Sequence, residues 1–485
     1  MKTAGIIAEY NPFHNGHQFH IEETRRRTGA DYIIAVISGD FVQRGAPSLL
    51  SKYDRARMAL LHGADLVFAL PATTALSSAE GFASGAVSLL AGLGVVDVIS
   101  FGCESADTDP LLFQEVAAIL AEEPEEFRDN LTRCMKNGMS FPEARELAIA
   151  AYMQNHTPKN RLQLTDQMTL TDQPAPTGPA SNSARQTELS RETAVRRLLS
   201  EPNNILALEY AKAVIKNDCA MDLCMISRRG SSYHSHELTG APEGSLRVNA
   251  GACSREDSSS VSEASGLYAS AAAIRNHLLA QTACSAADTN PYAASALQNT
   301  VPPDVFRTLR HAHRNHQLLC EDDFSDLLHY ALIANSDHLN DFGLPGPDLA
   351  HRTVNLLEEF ESWTQYAALL KTRNRTYTAI SRYLTHLLLQ IRREDFSLAE
   401  TCNRAPYARL LGFHKSAAPL LTAIRNHSEI PVLTRLAGDA TKLNENQKHL
   451  LDLDIRSSEI YKRILYTKSG CILKSEYRQP TICLP

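Results

Sequence analysis

The sequence predicts an α/β fold in which a doubly wound parallel sheet is followed by an all-α C-terminal portion. In residues 1–102, short apolar runs alternate with helix-like segments, a rhythm typical of parallel strands joined by right-handed crossovers. Beyond Pro302 the apolar residues recur at helical spacing nearly to the end of the chain. The length of 485 residues is sufficient for two or three domains.

Each predicted element of the sheet is recognised from an apolar run and the turn residues that bound it. The predicted strands are Ala4–Ala8, Tyr32–Ile37, Asp65–Leu70, Val95–Phe101 and, later in the chain, Met221–Ser227. The predicted helices are Ile21–Arg27, Lys52–Leu61, Ser77–Leu90 and Asn203–Lys216. Ligands of such sheets bind at the carboxyl ends of the strands. We therefore expect a site at the edge where Glu9, Ser38, Leu70 and Gly102 fall.

Two segments between these elements have a composition that does not favour a packed core. Residues 155–190 are rich in Thr, Gln, Pro, Asn and Ser, and they predict a flexible insertion. Residues 231–265 are rich in Gly and Ser and predict a mobile loop. We expect one domain over residues 1–300, with both segments inside it, and a helical portion over residues 301–485.

Composition excludes several classes of protein. The longest apolar runs, such as Ala91–Ile99, are far shorter than the ~20 residues that span a bilayer. The N-terminus also lacks a signal-peptide pattern, so a cytoplasmic location is expected. Ten cysteines are scattered without a C-x-x-C pair, which predicts reduced thiols rather than disulfides or structural zinc. A net charge of −7 argues against a uniformly basic nucleic-acid-binding protein but leaves room for a local basic face.

An H-x-G-H element, His14 to His17, is the strongest local signal for chemistry. It follows the first predicted strand and precedes the first predicted helix, whose N-terminal amides can bind phosphate. Two imidazoles one turn apart can donate hydrogen bonds to phosphoryl oxygens as negative charge develops on them. The alternatives are polar loop residues without a function, or metal ligands. No P-loop motif, no G-x-G-x-x-G after a predicted strand and no G-x-S-x-G occurs in the chain.

Longer motifs around this element resemble those of a known family. They are GIIAEYNPFHNGHQFH, SGDFVQRGAPSLLSKYDRARMAL, GADLVFALP, SFGCES, PNNILALEY, SRRGSSYH, YASAAAIR, APYARLLGF and LDLDIRSSEIY. The chain resembles the tRNA(Met) cytidine acetate ligase family of the HIGH-type nucleotidylyltransferase superfamily. The resemblance covers most of the chain, and it implies a nucleotidylyltransferase-like catalytic domain over residues 1–300 and a tRNA-binding helical portion over residues 301–485.

The resemblance also implies the reaction and the residues that serve it. The enzyme would activate acetate with ATP, with the help of Mg²⁺, to an acetyl-adenylate and then acetylate N4 of the wobble cytidine of elongator tRNA(Met), releasing AMP and pyrophosphate. His14 and His17 would be the catalytic pair. The implied ATP-binding residues are Ile7, Ala8, Glu9, Tyr10, Asn11, Pro12, Phe13, His14, Asn15, Gly16, His17, Gln18, Phe19, His20, Gly102, Asn203 and Arg228.

Ser270 and Arg275 occupy the place of the superfamily's second phosphate motif, S-x-T-x-I-R. The threonine of that motif is Ala272 here, so the motif has one hydroxyl fewer. The insertion at 155–190 is a second departure from the pattern that the resemblance leads us to expect.

A tRNA substrate requires a basic surface on this acidic chain. The segment from Lys371 continues into a predicted helix on which Arg375, Arg382 and Arg393 lie seven and eleven residues apart. That spacing places them on one stripe if the helix includes all three. The alternative is an ordinary solvated helix face. Secondary basic candidates are Arg25, Arg26, Arg27, Arg307, Arg310, His311, His313 and Arg314, whereas Trp363 is expected in the core.

Two other functions remain open from the sequence. One is a nucleotidylyltransferase that acts on a phosphorylated small molecule, and the other is a non-catalytic RNA-binding protein that keeps an ATP pocket. Ala272 and the insertion favour the second of these. Acetate-dependent exchange of pyrophosphate into ATP would distinguish the ligase from both.

Overall fold

The computed structural model describes residues 1–104, 109–139, 141–156, 193–228, 268–283, 295–373 and 375–485. Residues 157–190 of the expected insertion and the whole of the expected loop at 231–265 lie outside the described residues. The division of the chain at residue 300 stays a prediction.

One sheet lies at the centre of the molecule. In the described residues its strands run in the order β10 (Ile482–Leu484), β8 (Ala408–His414), β5 (Leu66–Ala69), β2 (Tyr32–Ile37), β1 (Thr3–Ala8), β6 (Val98–Cys103) and β7 (Asp222–Ser227), and β9 (Val432–Leu433) pairs with β8. Neighbouring strands are parallel except β5 and β8. Strand order reverses direction between β1 and β6, which is the position where doubly wound sheets bind ligands. A hairpin of β3 (Phe41–Val42) and β4 (Ala46–Pro47) lies beside the sheet.

Helices surround the sheet and form the C-terminal portion. They are α1 (Asn15–Thr28), α2 (Lys52–Leu61), α3 (Ala72–Ala75), α4 (Ala79–Gly92), α5 (Pro110–Glu122), α6 (Glu125–Lys136), α7 (Phe141–Asn155), α8 (193–200), α9 (Pro202–Lys216), α10 (Ala271–Ala283), α11 (Ser295–Thr300), α12 (Pro303–Arg314), α13 (Ser325–Ala334), α14 (Pro347–Asn355), α15 (Trp363–Leu370), α16 (Tyr377–Leu389), α17 (Arg393–Glu400), α18 (Ala418–His427), α19 (Leu436–Asp439) and α20 (Glu445–Ser469).

Both faces of the sheet are buried under helices, which explains why its central strands, such as β2 (YIIAVI) and β5 (LVFA), are almost entirely apolar. On β2, Ile34 and Val36 belong to the core under α4, α5 and α9. Ile33 and Ala35 belong to the core on the other face, under α1, α2 and α12. The alternation of side chains along the strand thus divides one apolar run between two cores.

The sequence prediction of a parallel sheet with helices is confirmed. β2 and α2 have the predicted bounds, and β1, β5, β6, β7, α4 and α9 lie within a few residues of them. The first helix is longer than predicted, because α1 begins at Asn15 inside the H-x-G-H element.

The C-terminal portion is mainly helical, as predicted, but the prediction that it is all-α was wrong. β8, β9 and β10 lie between residues 408 and 484, and they extend the N-terminal sheet at the β5 edge. The run ARLLGFH of β8 is short and apolar, and a buried strand of that kind cannot be separated from a buried helix by periodicity. Hydrogen bonding to β5 and β10 decides its conformation.

The helical portion has its own core, which α13, α15, α16 and α20 enclose. Trp363 is completely buried in that core, as predicted. Ile380, Leu384 and Leu387 of α16 are also fully buried in it. In the part of the chain that the structure describes, no helix has the length and apolar character needed to cross a membrane.

Candidate active site

The H-x-G-H element caps the N-terminus of α1 directly after β1. His14 is the N-cap residue, and its Nδ1 accepts a hydrogen bond from the Gly16 N–H (3.0 Å). His17 Nδ1 accepts one from the His14 N–H (3.2 Å). An imidazole that accepts at Nδ1 carries its proton on Nε2, and we assign that tautomer to both residues from these hydrogen bonds. Each therefore has an Nε2–H available as a donor.

Both imidazoles are neutral at pH 7. Burial, together with the charges of Arg228 and Arg275, lowers the pKa of His14 to about 3. Burial also lowers the pKa of His17 well below its ordinary value, with contributions from His14, His20 and Arg228. The two rings stack with their centroids 3.7 Å apart. The pair thus supplies two neutral hydrogen-bond donors rather than two cations.

Position 16 must be a glycine because its Cα lies too close to the His14 ring to carry a side chain. A Cβ on Gly16 would lie 2.8 Å from His14 Cε1 and would push the imidazole out of its capping position. The structure thus gives this glycine a role in placing His14.

His20 lies one turn further along α1. Its Nε2 contacts Ser100 Oγ at 3.0 Å, and Ser100 Oγ in turn contacts Thr24 Oγ1 at 2.7 Å. Burial lowers the pKa of His20 to about 4. These contacts fasten α1 to β6, so the helix N-terminus lies over the point where strand order reverses.

Gly102, Asn203 and Arg228 meet at the carboxyl end of β6, around Glu104. Asn203 Nδ2 donates a hydrogen bond to Glu104 Oε1, and Arg228 Nη1 lies 3.7 Å from the same oxygen. A Cβ on Gly102 would contact the Arg228 side chain at 3.4 Å. The Glu104 backbone is fixed because its N–H donates to Asn204 Oδ1 (2.9 Å). Sequence reasoning missed Glu104, although it lies inside the motif SFGCES.

Arg275 of the second phosphate motif contacts the loop that precedes the H-x-G-H element. Ser270 Oγ accepts from the Ala273 N–H (3.1 Å) at the start of α10, and Arg275 Nη1 donates to Asn11 O (2.6 Å). Burial and the nearby Arg44 lower the pKa of Arg275, whereas Glu9 and Glu321 raise it. Arg275 is therefore adjacent to the H-x-G-H turn, although Ala272 lacks the hydroxyl of the motif.

Two further residues hold Glu9 and were not found from the sequence. The Gln43 N–H, in the turn between β3 and β4, donates to Glu9 Oε1 (2.9 Å). Arg55, which is fully buried, donates through Nη1 to Glu9 O (2.7 Å). The nearest signal was the motif that contains both residues, SGDFVQRGAPSLLSKYDRARMAL, but its spacing does not reveal the contacts.

Other residues of the predicted ATP-binding stretch have structural contacts. Ile7, Tyr10 and Phe13 are buried in the two cores. Gln18 donates to Glu22 on the same helix, and Asn15 Nδ2 donates to Asn299 O. These contacts hold the stretch in its conformation. Nε2 of His14 and Nε2 of His17 have no partner among the described residues.

The predicted arginine stripe does not exist as one helical face. Arg375 precedes α16 and Arg393 begins α17, because α16 ends at Leu389 and Gln390 has a left-handed conformation. Arg375 donates to Leu344 O, and Arg393 donates to Phe342 O and Pro345 O. Both guanidinium groups thus hold the loop before α14. Lys371 is exposed in the loop after α15.

Arg382 points toward the turn between β3 and β4 rather than outward. Its Nη1 lies 3.4 Å from Gln43 O, and burial lowers the pKa of its guanidinium. By contrast, Arg307 and Arg314 on α12 are exposed, while Val305 and Leu309 on the same helix are buried. α12 follows α11, whose Asn299 carbonyl contacts Asn15. Two exposed arginines therefore lie on the helix that follows the one in contact with Asn15.

Metal binding by the histidines has no support in the described residues. No group of three or more His, Cys, Asp or Glu side chains in those residues is arranged to hold a metal ion. His14 and His17 instead use Nδ1 for backbone hydrogen bonds.

The chain is similar to proteins of known name over its whole length. It matches the family model of the HIGH nucleotidyl transferases over residues 1–248 and 246–475. It is 33% identical over 463 residues to a Clostridium kluyveri protein named tRNA(Met) cytidine acetate ligase, covering 95% of this chain and 94% of the relative. A Halothermothrix orenii protein of the same name is 30% identical over 478 residues, covering 96% and 95%.

The chain is also similar to solved structures over its full length. The crystal structure of Thermotoga maritima TmcAL in its apo form superposes with a TM-score of 0.78 and 26% identity, covering all of both chains. The same protein bound with alpha-thio ATP superposes with a TM-score of 0.77 and 25% identity, again over both full chains.

Proposed function

Because this chain belongs to the tRNA(Met) cytidine acetate ligase family of the HIGH nucleotidyl transferases, we propose that its H-x-G-H site activates acetate with ATP for transfer to tRNA. The product is N4-acetylcytidine at the wobble position of elongator tRNA(Met). The observation that supports this assignment to the site is the pair of neutral imidazoles at the N-terminus of α1, whose Nε2–H groups have no partner among the described residues.

In the first step, a carboxylate oxygen of acetate attacks the α-phosphorus of ATP. The bond from that phosphorus to the bridging oxygen breaks, and pyrophosphate leaves with the developing charge. His14 and His17 donate to phosphoryl oxygens, and Arg275 and Arg228 compensate the negative charge. Neutral donors are suited to this position because two imidazolium rings with centroids 3.7 Å apart would repel each other.

ATP enters as its magnesium complex. Mg²⁺ is commonly held by substrate phosphates with one or two carboxylates and several waters. The described residues contain no cluster of three metal-ligating side chains, which fits a metal ion that arrives with the nucleotide. The ion would neutralise part of the triphosphate charge and so assist the attack of an anionic carboxylate.

In the second step, the N4 amine of cytidine attacks the acetyl carbonyl of the mixed anhydride. The carbon–oxygen bond to AMP breaks, and N4 loses one proton. The amine is a weak nucleophile because its lone pair is delocalised into the ring, so the rate depends on alignment of the two groups and on exclusion of water.

The tRNA partner requires cations on the surface near this site. The exposed arginines of α12, Arg307 and Arg314, are our first choice, and Lys371, Arg375, Arg382 and Arg393 are the second. The preference follows from their hydrogen bonds, because Arg375 and Arg393 already bind backbone carbonyls of residues 342–345. A cytoplasmic location is part of the proposal, since ATP, acetate and tRNA are all present there.

Exchange of labelled pyrophosphate into ATP tests the proposed activation step. The ligase should catalyse exchange that depends on acetate and needs no tRNA. Exchange that depends instead on a phosphorylated small molecule would identify a nucleotidylyltransferase. Absence of exchange with every substrate, together with tight tRNA binding, would identify an RNA-binding protein.

A further inference from the structure

The turn between β3 and β4 connects the helical C-terminal portion to the candidate active site. Gly45 ends this turn with a φ of +75°, and a Cβ there would lie 2.2 Å from the backbone nitrogen of Arg382. The hairpin backbone thus rests directly on the backbone of α16. Only glycine fits, both because of the left-handed conformation and because of the space.

Two buried hydroxyl groups of α16 bind this turn. Ser381 Oγ donates to Gly45 O (2.6 Å), and Thr385 Oγ1 lies 2.8 Å from the same carbonyl. Thr385 Oγ1 is also 2.8 Å from Ser381 O, the back-bond usual for threonine in a helix. Both side chains are almost completely buried, with exposed fractions of 1% and 0%. Water cannot replace these donors, so the carbonyl depends on them.

The other end of the same turn binds Glu9. The Gln43 N–H donates to Glu9 Oε1 (2.9 Å), and Arg382 Nη1 contacts Gln43 O (3.4 Å). Glu9 follows β1, and its carbonyl accepts from Arg55. Its carboxylate is one of the anions that act on Arg275, whose guanidinium donates to Asn11 O, three residues before His14. A displacement of Gly45 therefore reaches Glu9 through Gln43, and Glu9 lies two residues before Asn11, whose carbonyl is the partner of Arg275.

We propose that Ser381 and Thr385 of α16 are positioning residues for ATP, acting through the Gly45 carbonyl and the Gln43 amide on Glu9 and Arg275. The C-terminal portion then takes part in acetate activation as well as in RNA binding. The inference rests on the proposed function for its substrate, ATP. Neither hydroxyl touches the substrate, and their effect is exerted on the geometry of the site.

The test compares two substitutions of one threonine. Thr385→Val keeps the shape and removes the hydroxyl, whereas Thr385→Ser keeps the hydroxyl and removes the methyl group. The matched control is Thr353→Val on α14, because Thr353 is equally buried and its hydroxyl back-bonds to Leu349 O at 2.8 Å. ATP affinity is measured by calorimetry without acetate or tRNA, and the KM for ATP is measured by pyrophosphate exchange.

We expect the pair Ser381→Ala with Thr385→Val to weaken ATP binding and raise the KM roughly tenfold, the effect of one or two lost buried hydrogen bonds. The kcat of exchange should change less than the KM. Thr385→Ser should retain near wild-type affinity. Thr353→Val should lower the melting temperature to a similar extent and leave ATP affinity unchanged.

Three results would overturn the inference. The first is an ATP affinity that is lost in Thr385→Ser and retained in Thr385→Val. The second is a loss of ATP affinity in Thr353→Val equal to that in the Ser381→Ala and Thr385→Val pair. The third is wild-type ATP affinity in that pair. Failure of the proposed function is separate, because it appears in the wild-type protein as exchange without acetate dependence. Direct ATP binding still decides the positioning claim in that case.

Discussion

At the scale of single residues, backbone hydrogen bonds decide which ring nitrogen of His14 and of His17 carries the proton. The sequence identifies two imidazoles one turn apart, and the strand before them predicts a phosphate site. It cannot reveal that each Nδ1 accepts a backbone N–H, which leaves Nε2–H as the donor. It also cannot reveal Glu104 or Gln43, since their partners Asn203 and Glu9 are distant in the chain.

Stability should fall as pH is lowered through the range in which free histidine takes up a proton. The pKa of His14 is lowered to about 3 in the folded protein, so the unfolded chain binds the proton first. Its contribution is therefore complete above the ordinary pKa of about 6.5 and is lost as pH falls toward 3, by up to about 1.4 kcal/mol per pH unit. Urea unfolding at pH 7, 6 and 5 measures this slope.

A His14→Gln variant provides the comparison for that slope. Glutamine does not titrate, so its free energy of unfolding should depend less steeply on pH than that of the wild type. Equal slopes in the two proteins would mean that His14 is not the source of the pH dependence.

At the scale of secondary structure elements, the strands and helices of the N-terminal part of the chain were predictable and the C-terminal strands were not. β2 and α2 follow from runs that are bounded by turn residues, and both have the predicted limits. β10 contains three residues, too few for any period to be measured. The arginine stripe failed for a related reason, because nothing local predicts that α16 ends at Leu389.

The elements that carry tRNA-binding arginines can be separated by experiment. Arg307 and Arg314 lie seven residues apart on α12, which places them on one exposed face. Replacing both with alanine should weaken tRNA binding and reduce the slope of log K against log salt concentration by about 1 to 2, since each phosphate contact contributes roughly 0.7 to 0.9. Binding is measured over a series of salt concentrations.

Replacing Arg375 and Arg393 instead should act mainly on stability. Their guanidinium groups bind carbonyls of Phe342, Leu344 and Pro345. The melting temperature should fall while the salt slope of tRNA binding stays near the wild-type value. A reduced salt slope with an unchanged melting temperature would instead indicate that Arg375 and Arg393 contact tRNA.

At the scale of the whole molecule, the C-terminal segment is tied to the first domain by a buried ionic network. Glu476 is 1% exposed and lies 2.9 Å from Lys52 Nζ, 2.6 Å from Lys462 Nζ and in hydrogen-bond contact with Arg409. Although burial raises the pKa of Glu476, the three cations lower it well below its ordinary value. The network joins α2, β8 and α20 across the sheet edge.

Removal of this one charge should destabilise the protein strongly. Glu476→Gln leaves Lys52, Arg409 and Lys462 with insufficient negative charge, and the loss of a partner from a buried ion pair costs about 3 to 5 kcal/mol. Urea unfolding measures the change, and the exposed Glu358→Gln serves as the control. An unfolding free energy within experimental error of the wild type would refute a structural role for the network.

Whole-molecule composition was the weakest guide to function. A net charge of −7 describes the average of the chain, while Arg307 and Arg314 are exposed together on one helix, α12. Neither the charge nor the length indicates a reaction. The motifs predicted the family, and the similarity of full-length relatives confirms it.

The most direct test of the account is mass spectrometry of the wobble nucleoside after incubation of elongator tRNA(Met) with the protein, ATP, Mg²⁺ and acetate. The wild-type protein should convert the wobble cytidine to N4-acetylcytidine, and His17→Ala should reduce the rate roughly 100-fold or more with tRNA affinity retained. An unmodified cytidine with the wild-type protein, under conditions in which a known ligase acetylates the same tRNA, would contradict the account.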